Sequence, residues 1–157
     1  MFWGCFSGAS GKGPGLFWEK DWGSISEESY REHTLPLIHE WIRENERHNI
    51  ELYFMQDGAP GHRARGTLAE LRERGIRVIF WPPYSPDLNP IENCWNWMKD
   101  YIEDKWGLQE KPSYDNLRRY VQEAWDALPN EYWRKLLDSM PARCQAVIDA
   151  NGMHTKY

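Results

Sequence analysis

The sequence predicts an α/β fold, a mixed sheet flanked by helices and followed by a helical tail. Three observations predict it. A glycine-rich hairpin opens the chain, a strand, helix, strand unit fills its middle, and from Ser113 onward apolar residues recur only at helical spacing. A chain of 157 residues suffices for one ordinary domain. We divide it into an α/β part over 1–106 and C-terminal helices over 107–157.

Residues 1–7 are rich in aromatic side chains and precede the breaker run GASGKGPG, after which Leu16, Phe17 and Trp18 start another apolar segment. Two strands joined by a glycine-rich turn follow from this. Ser24 or Ser26 is suited to cap a helix carrying Tyr30, Thr34, Leu37, Ile38, Trp41 and Ile42 on one face and ending between Asn45 and Asn49. The apolar run IELYFMQD then reads as a strand that delivers Asp57 at its carboxyl end, before the turn GAPG.

A helix over 62–74 with Leu68 and Leu71 inward is stopped by Gly75, and a second strand spans 76–81. Prolines at 82, 83, 86 and 90 make PPYSPDLNP an extended, stiff connection. Asn89 caps the next helix and Pro90 suits its first position, with Ile91, Trp95, Met98 and Ile102 on the buried face. The polar stretch 107–112 reads as a linker. Three helices follow, marked by Leu117, Val121 and Trp125, then by Trp133, Leu136 and Leu137, then by residues 142–150, with Asn151-Gly152 as the stop.

Composition narrows the function. The formal net charge is −5, so no whole-molecule positive field attracts phosphate, and nucleic-acid binding requires a local patch. Cys5, Cys94 and Cys144 are odd in number and widely scattered, unlike a disulfide framework or a zinc knuckle. No basic lead-in or bilayer-length apolar run is present, so no membrane partner is expected. Ten tryptophans exceed ordinary usage. Those at 95, 125 and 133 lie on apolar helical faces and suit a core, whereas Trp81 and Trp97 are candidates for packing or for stacking on an unpaired base.

Asp57 at a strand end and Glu92 in the first turn of a helix place two acids at the expected carboxyl edge of a sheet, where α/β clefts form. Hard divalent cations take such oxygen ligands and share them with substrate phosphates. Structural roles compete with this one. Asp57-Gly58 is a common turn start, and Asn89 with Glu92 has the form of a capping box. His62 is a candidate to orient a carboxylate, a water or a phosphate, or else a plain helix-start residue. Arg63, Arg65, Arg72, Arg74, Arg77, Lys99 and Lys105 are candidate phosphate contacts, although Glu70, Glu73 and Glu103 interleave with them.

The strings MFWGCFS with GKGPG, MQDGAPGH, WPPYSPDLNPIENCWNWMK and SMPARCQAVIDANGMHTKY together resemble the DDE catalytic domain of mariner-like (Tc/mariner) transposases. The resemblance runs over essentially all 157 residues, and the 34 residues between Asp57 and Glu92 equal the family's interval between its second and third catalytic acids. It implies an RNase H-like fold and metal-dependent cutting of transposon ends, with transfer of the freed 3′-hydroxyl to target DNA. Asp57 and Glu92 would be catalytic acids and ligands of Mg²⁺ or Mn²⁺, with His62, Asn93 and Lys99 as accessory candidates. The implied partners are transposon-end and target DNA and a second copy or full-length transposase, with action in the nucleus.

In that family the first catalytic acid lies on a strand ahead of the segment matching MFWGCFS, and no residue here corresponds to it. The expectation is a domain truncated at its amino end, lacking the first, central strand and the helix-turn-helix region, and inactive alone. Strands beside a missing one would pair anew, accept a strand from another chain or leave the fold marginal. The alternative is a non-catalytic nucleic-acid-binding or assembly module. A ligand-binding domain built on exposed tryptophans is disfavoured by their helical spacing.

Overall fold

Glycine governs the first element as a packing residue more than as a breaker. In the computed structural model, which describes residues 1–107 and 111–157, β1 (Phe2–Ser7) and β2 (Gly11–Phe17) form a two-stranded antiparallel sheet. The turn takes only residues 8–10, and the remaining glycines of the expected breaker run enter β2. Gly13 shows why: a Cβ there would lie 2.6 Å from Cys5 Sγ and 3.0 Å from the Trp41 ring. The following helices thus approach β2 at a position that admits no side chain.

Ser26 caps α1 (Glu27–His33) through a capping box. Its Oγ accepts from Ser29 N at 3.2 Å, and Ser29 Oγ accepts from Ser26 N at 2.9 Å. The single helix expected here breaks at Thr34 and resumes as α2 (Leu35–Arg47). Pro36 explains the break, since it has no N–H to give a continuous helix and its ring would meet the carbonyl four residues back. Tyr30, Leu35, Ile38 and Ile42 are buried together with Leu71 and Ile76, and Trp3, Leu52 and Phe54 pack against them.

The two middle strands expected from sequence are joined by one isolated parallel bridge, Phe54 with Val78. Phe54 N donates to Arg77 O and Ile79 N donates to Phe54 O, both at 2.8 Å. A parallel pair is the weaker ladder per residue and depends on cover over both faces. Here Val78, Ile79 and Phe80 are all exposed, Phe80 to 87%. Between these segments, α3 (Pro60–Arg63) and α4 (Arg65–Glu73) replace the one helix expected over 62–74, with Ala64 extended at the junction. The break resets the helix phase, so Thr67 and Leu71 turn inward and Leu68 outward. Thr67 is satisfied by donating to Gly61 O at 2.7 Å. Gly75, at φ 71°, ends the segment in the left-handed conformation.

Residues 1 and 3–85 make one compact unit, and Phe2 with 86–157 makes a second. In the second, a short 3-10 turn (Pro86–Leu88) interrupts the proline-rich connection and leads to α5 (Ile91–Trp106). The cap position falls on Pro90, one residue later than expected, and Cys94, Met98 and Ile102 form the buried stripe at i, i+4, i+8. Of the expected linker over 107–112, residues 107, 111 and 112 lie in no helix or strand, and 108–110 lie outside the described residues. The tail folds as α6 (Tyr114–Ala127), α7 (Asn130–Asp138) and α8 (Met140–Asp149), stopped by Asn151 and Gly152 at positive φ. Trp125 and Trp133 are buried there as expected, with ring centroids 5.8 Å apart, and Trp95 packs on Trp125 at the same distance. Leu117 stays exposed. No helix among the described residues is long and apolar enough to cross a membrane.

Candidate functional site

Asp57 ends the segment that bridges through Phe54, and the turn GAPG swings α3 back toward it. One carboxylate oxygen does all its local bonding: Oδ1 accepts from Ala59 N at 3.0 Å and lies 2.6 Å from His62 Nδ1. The side chain is still 53% exposed, and Oδ2 has no partner among the described residues. The His62 hydrogen bond, with help from Ala59 N–H, outweighs partial burial and holds the carboxyl below its usual range. An ionised, half-exposed carboxylate with an open oxygen results.

His62 is oriented by its surroundings. Its ring lies 4.4 Å from that of Tyr30, which is buried and donates its hydroxyl to Gln56 Oε1 at 2.9 Å. Gln56 Nε2 in turn donates to His62 O at 3.1 Å. Burial is the largest cause raising the Tyr30 phenol above its ordinary range, so it remains a donor. α3 lies against the start of α1, where a Cβ on Gly61 would stand 3.4 Å from Ser26 O, at ordinary contact distance. Tyr30 and Gln56 were not singled out from sequence. Tyr30 reads there as one more apolar helix position, and a strand glutamine beside an acid has no pattern of its own.

Glu92 occupies the first turn of α5. The capping box expected as its structural role does not form: Asn89 Oδ1 accepts from Ile91 N at 3.4 Å and Glu92 N donates to Asn89 O at 3.2 Å, but the exposed Glu92 carboxylate has no hydrogen bond or ion pair among the described residues. Its carboxylate is held near the helix entrance by backbone alone. The next residue, Asn93, is committed elsewhere, its Oδ1 accepting from Arg143 Nη2 at 2.8 Å. Lys99, seven residues on from Glu92, falls on nearly the same side of the helix about 10 Å further along, and it is exposed.

Arg143 was not singled out from sequence either. It is 3% exposed on α8, where the helical pattern leads one to expect small or apolar residues. A basic residue inside the apolar period of the last helix was the available signal. Among the candidate phosphate contacts, Arg74 pairs with Glu70 at 2.6 Å, Arg77 pairs with Glu51, and Lys105 pairs with Glu123. Among the described residues, no group of three or more His, Cys, Asp or Glu side chains comes together as a metal cluster.

Residues 21–113 match the family described as DDE superfamily endonuclease. The chain is 36% identical over 157 residues to the Tc1 transposase of Caenorhabditis elegans, covering 100% of this chain and 54% of that protein. It therefore spans about half the length of the curated relatives it matches. Its backbone matches the Mos1 transposase catalytic domain solved with Raltegravir and Mg at a TM-score of 0.69 and 20% identity, over 85% of this chain and 66% of that one. Against the Mos1 strand transfer complex the TM-score is 0.72 at 18% identity, over 92% and 41% of the two chains. The Mos1 catalytic domain has also been solved with Mn. At these identities the likeness to Mos1 shows a common fold.

Proposed function

The chain belongs to the Tc1/mariner transposases of the DDE superfamily endonucleases, and from that premise we propose that Asp57 and Glu92 are the second and third catalytic acids of its DNA-cutting domain. One observation carries this most directly. Asp57 is kept ionised by His62 through Oδ1 while Oδ2 is left open, as a ligand for a hard cation must be. Glu92 supports it by having no structural partner among the described residues and by its 34-residue interval from Asp57 within the SPDLNPIE string.

The donor chemistry fits Mg²⁺ or Mn²⁺, with Asp57 and Glu92 as the residues that would hold it. Such ions would activate the attacking oxygen and offset charge on the leaving one during strand cleavage and transfer. His62 fixes the Asp57 carboxylate, and the backbone of α5 presents Glu92. The accessory role for His62 is therefore orientation of Asp57. That for Asn93 is structural, through Arg143, and Lys99 remains available to a phosphate.

We propose transposon-end and target DNA as the substrates of the complete assembly, acting in the nucleus. A second copy or a full-length transposase is the partner we expect. An assembly or DNA-binding role without chemistry is the second reading, favoured by the aromatic packing of the tail, where the Trp125 and Trp133 rings lie 5.8 Å apart. Salt-sensitive DNA binding that survives Glu92→Ala would support it.

Titrating the isotope-labelled chain with Mn²⁺ and following amide broadening by NMR tests the site. Broadening centred on Asp57 and Glu92, lost at the altered acid in Asp57→Asn and Glu92→Gln, is the expected result. Broadening spread over other surface acids and unchanged in both variants would overturn it. Metal-dependent nicking of plasmid DNA that Asp57→Ala abolishes would support the catalytic reading directly.

A further inference from the structure

We propose that Arg143 is a positioning residue that clamps the proline-rich turn and the first turn of α5, and so sets where Glu92 presents its carboxylate. The inference rests on the reading of Glu92 as a metal ligand. It is argued within the second compact unit alone.

Three hydrogen bonds spread over three sides of one buried guanidinium. Nη1 donates to Asp87 O at 2.7 Å, in the 3-10 turn five residues before Glu92. Nη2 donates to Asn93 Oδ1 at 2.8 Å, immediately after Glu92. Nε donates to Ser139 Oγ at 2.9 Å, at the start of the helix that carries Arg143 itself. The ring of Tyr157 lies 4.7 Å from the guanidinium carbon. Glu92 is thus bracketed: the chain is pinned before it through a backbone carbonyl and after it through a side-chain amide. Tyr132 adds a further tie by donating to Asn93 O at 3.2 Å.

The chemistry explains why arginine is used. Every bonded acceptor is neutral, a carbonyl, an amide or a hydroxyl, and no carboxylate pairs with the group among the described residues. The burial therefore has no direct ion-pair gain, and burial is the main cause lowering the guanidinium's pKa from its ordinary value. A planar fork with donors on several edges and a face for an aromatic ring satisfies these sites at once, and a lysine ammonium on a flexible stem does not. Asn89, in the pinned turn, is also buried. The α5 entrance, whose own side-chain bond is the 3.4 Å one from Ile91 N to Asn89 Oδ1, thereby receives further order from a helix about fifty residues later in sequence.

The test uses the whole chain with Mn²⁺ as probe, in Arg143→Lys and in Asn93→Ala, reading amide exchange at residues 91–94 alongside Mn²⁺ broadening at Glu92 and Asp57. Exchange at 91–94 is expected to rise about tenfold in both variants, as loss of a charge-assisted hydrogen bond implies. Mn²⁺ affinity at Glu92 is expected to fall about tenfold while that at Asp57 is unchanged, the size usual for residues that orient a ligand. Unchanged exchange and unchanged Mn²⁺ affinity at Glu92 in a folded Arg143→Lys would overturn the proposal. Should Arg143→Lys fail to fold, the same readings in Asn93→Ala decide. Absence of Mn²⁺ broadening at Glu92 in the unaltered chain would refute the metal reading, and the exchange data would then decide the clamp separately.

Discussion

Asp57 Oδ1 and His62 Nδ1 stand 2.6 Å apart across the GAPG turn, five residues apart in sequence. The contact makes one short loop into a holder for an ionised carboxylate. Because the folded Asp57 titrates below its ordinary value, its contribution to stability is complete above about pH 4, the unfolded carboxyl range, and is lost as pH falls through the lower folded value. We expect His62→Ala to move the Asp57 titration, followed by carboxyl carbon NMR shifts, upward toward the ordinary range. A titration curve unmoved by the substitution would show that Ala59 N–H alone holds the charge.

Glu92 offers a direct contrast between a cap and a ligand. If it capped α5, replacing it would weaken the fold; as an unpartnered surface acid it should not. Glu92→Gln is expected to change unfolding free energy by less than about 0.5 kcal/mol in urea titrations at physiological salt. A loss of 1 kcal/mol or so would restore the capping role.

Gly13 is where the hairpin meets α2. Its added Cβ would stand 2.6 Å from Cys5 Sγ and 3.0 Å from two Trp41 ring atoms, so Gly13→Ala must push apart a strand neighbour and a large ring. The expected cost is about 1–3 kcal/mol by chemical denaturation. The same change at Gly11 has open space around it and would act only through its positive φ.

Ser26 and Ser29 exchange side-chain bonds with each other's backbone N–H at the start of α1. Ser26→Ala leaves the Ser29 N–H without that acceptor. A loss of about 1 kcal/mol is expected, read as a lower urea midpoint at unchanged slope. Because α1 carries Tyr30, the His62 ring resonances should broaden or shift in the same variant, and sharp unshifted ones would argue that the aromatic contact does not depend on the cap.

Local rules reached far in this chain. Ser26 as a cap, Gly75 and Asn151-Gly152 as stops, the hairpin of aromatic strands and the helical tail all depend on interactions within a few residues, and the sequence shows them. The family strings and the interval between Asp57 and Glu92 were legible for the same reason, because they are linear. Helix phase was less so. Pro36 and Ala64 break helices that periodicity runs together, which turned Leu68 outward and Thr67 inward.

What the sequence by itself determined is the set of family strings, the 34-residue interval between Asp57 and Glu92, and the helix that carries Glu92. The tertiary structure alone decided how each acid is held. It put His62 on Asp57, left Glu92 without the cap its motif suggested, reduced two expected strands to a single parallel bridge, and drew Arg143 from the last helix to the entrance of α5. The physical reason is range: capping and periodicity act over one or two turns, whereas a buried guanidinium must find its acceptors wherever the packed chain brings them, and no local pattern encodes that partner.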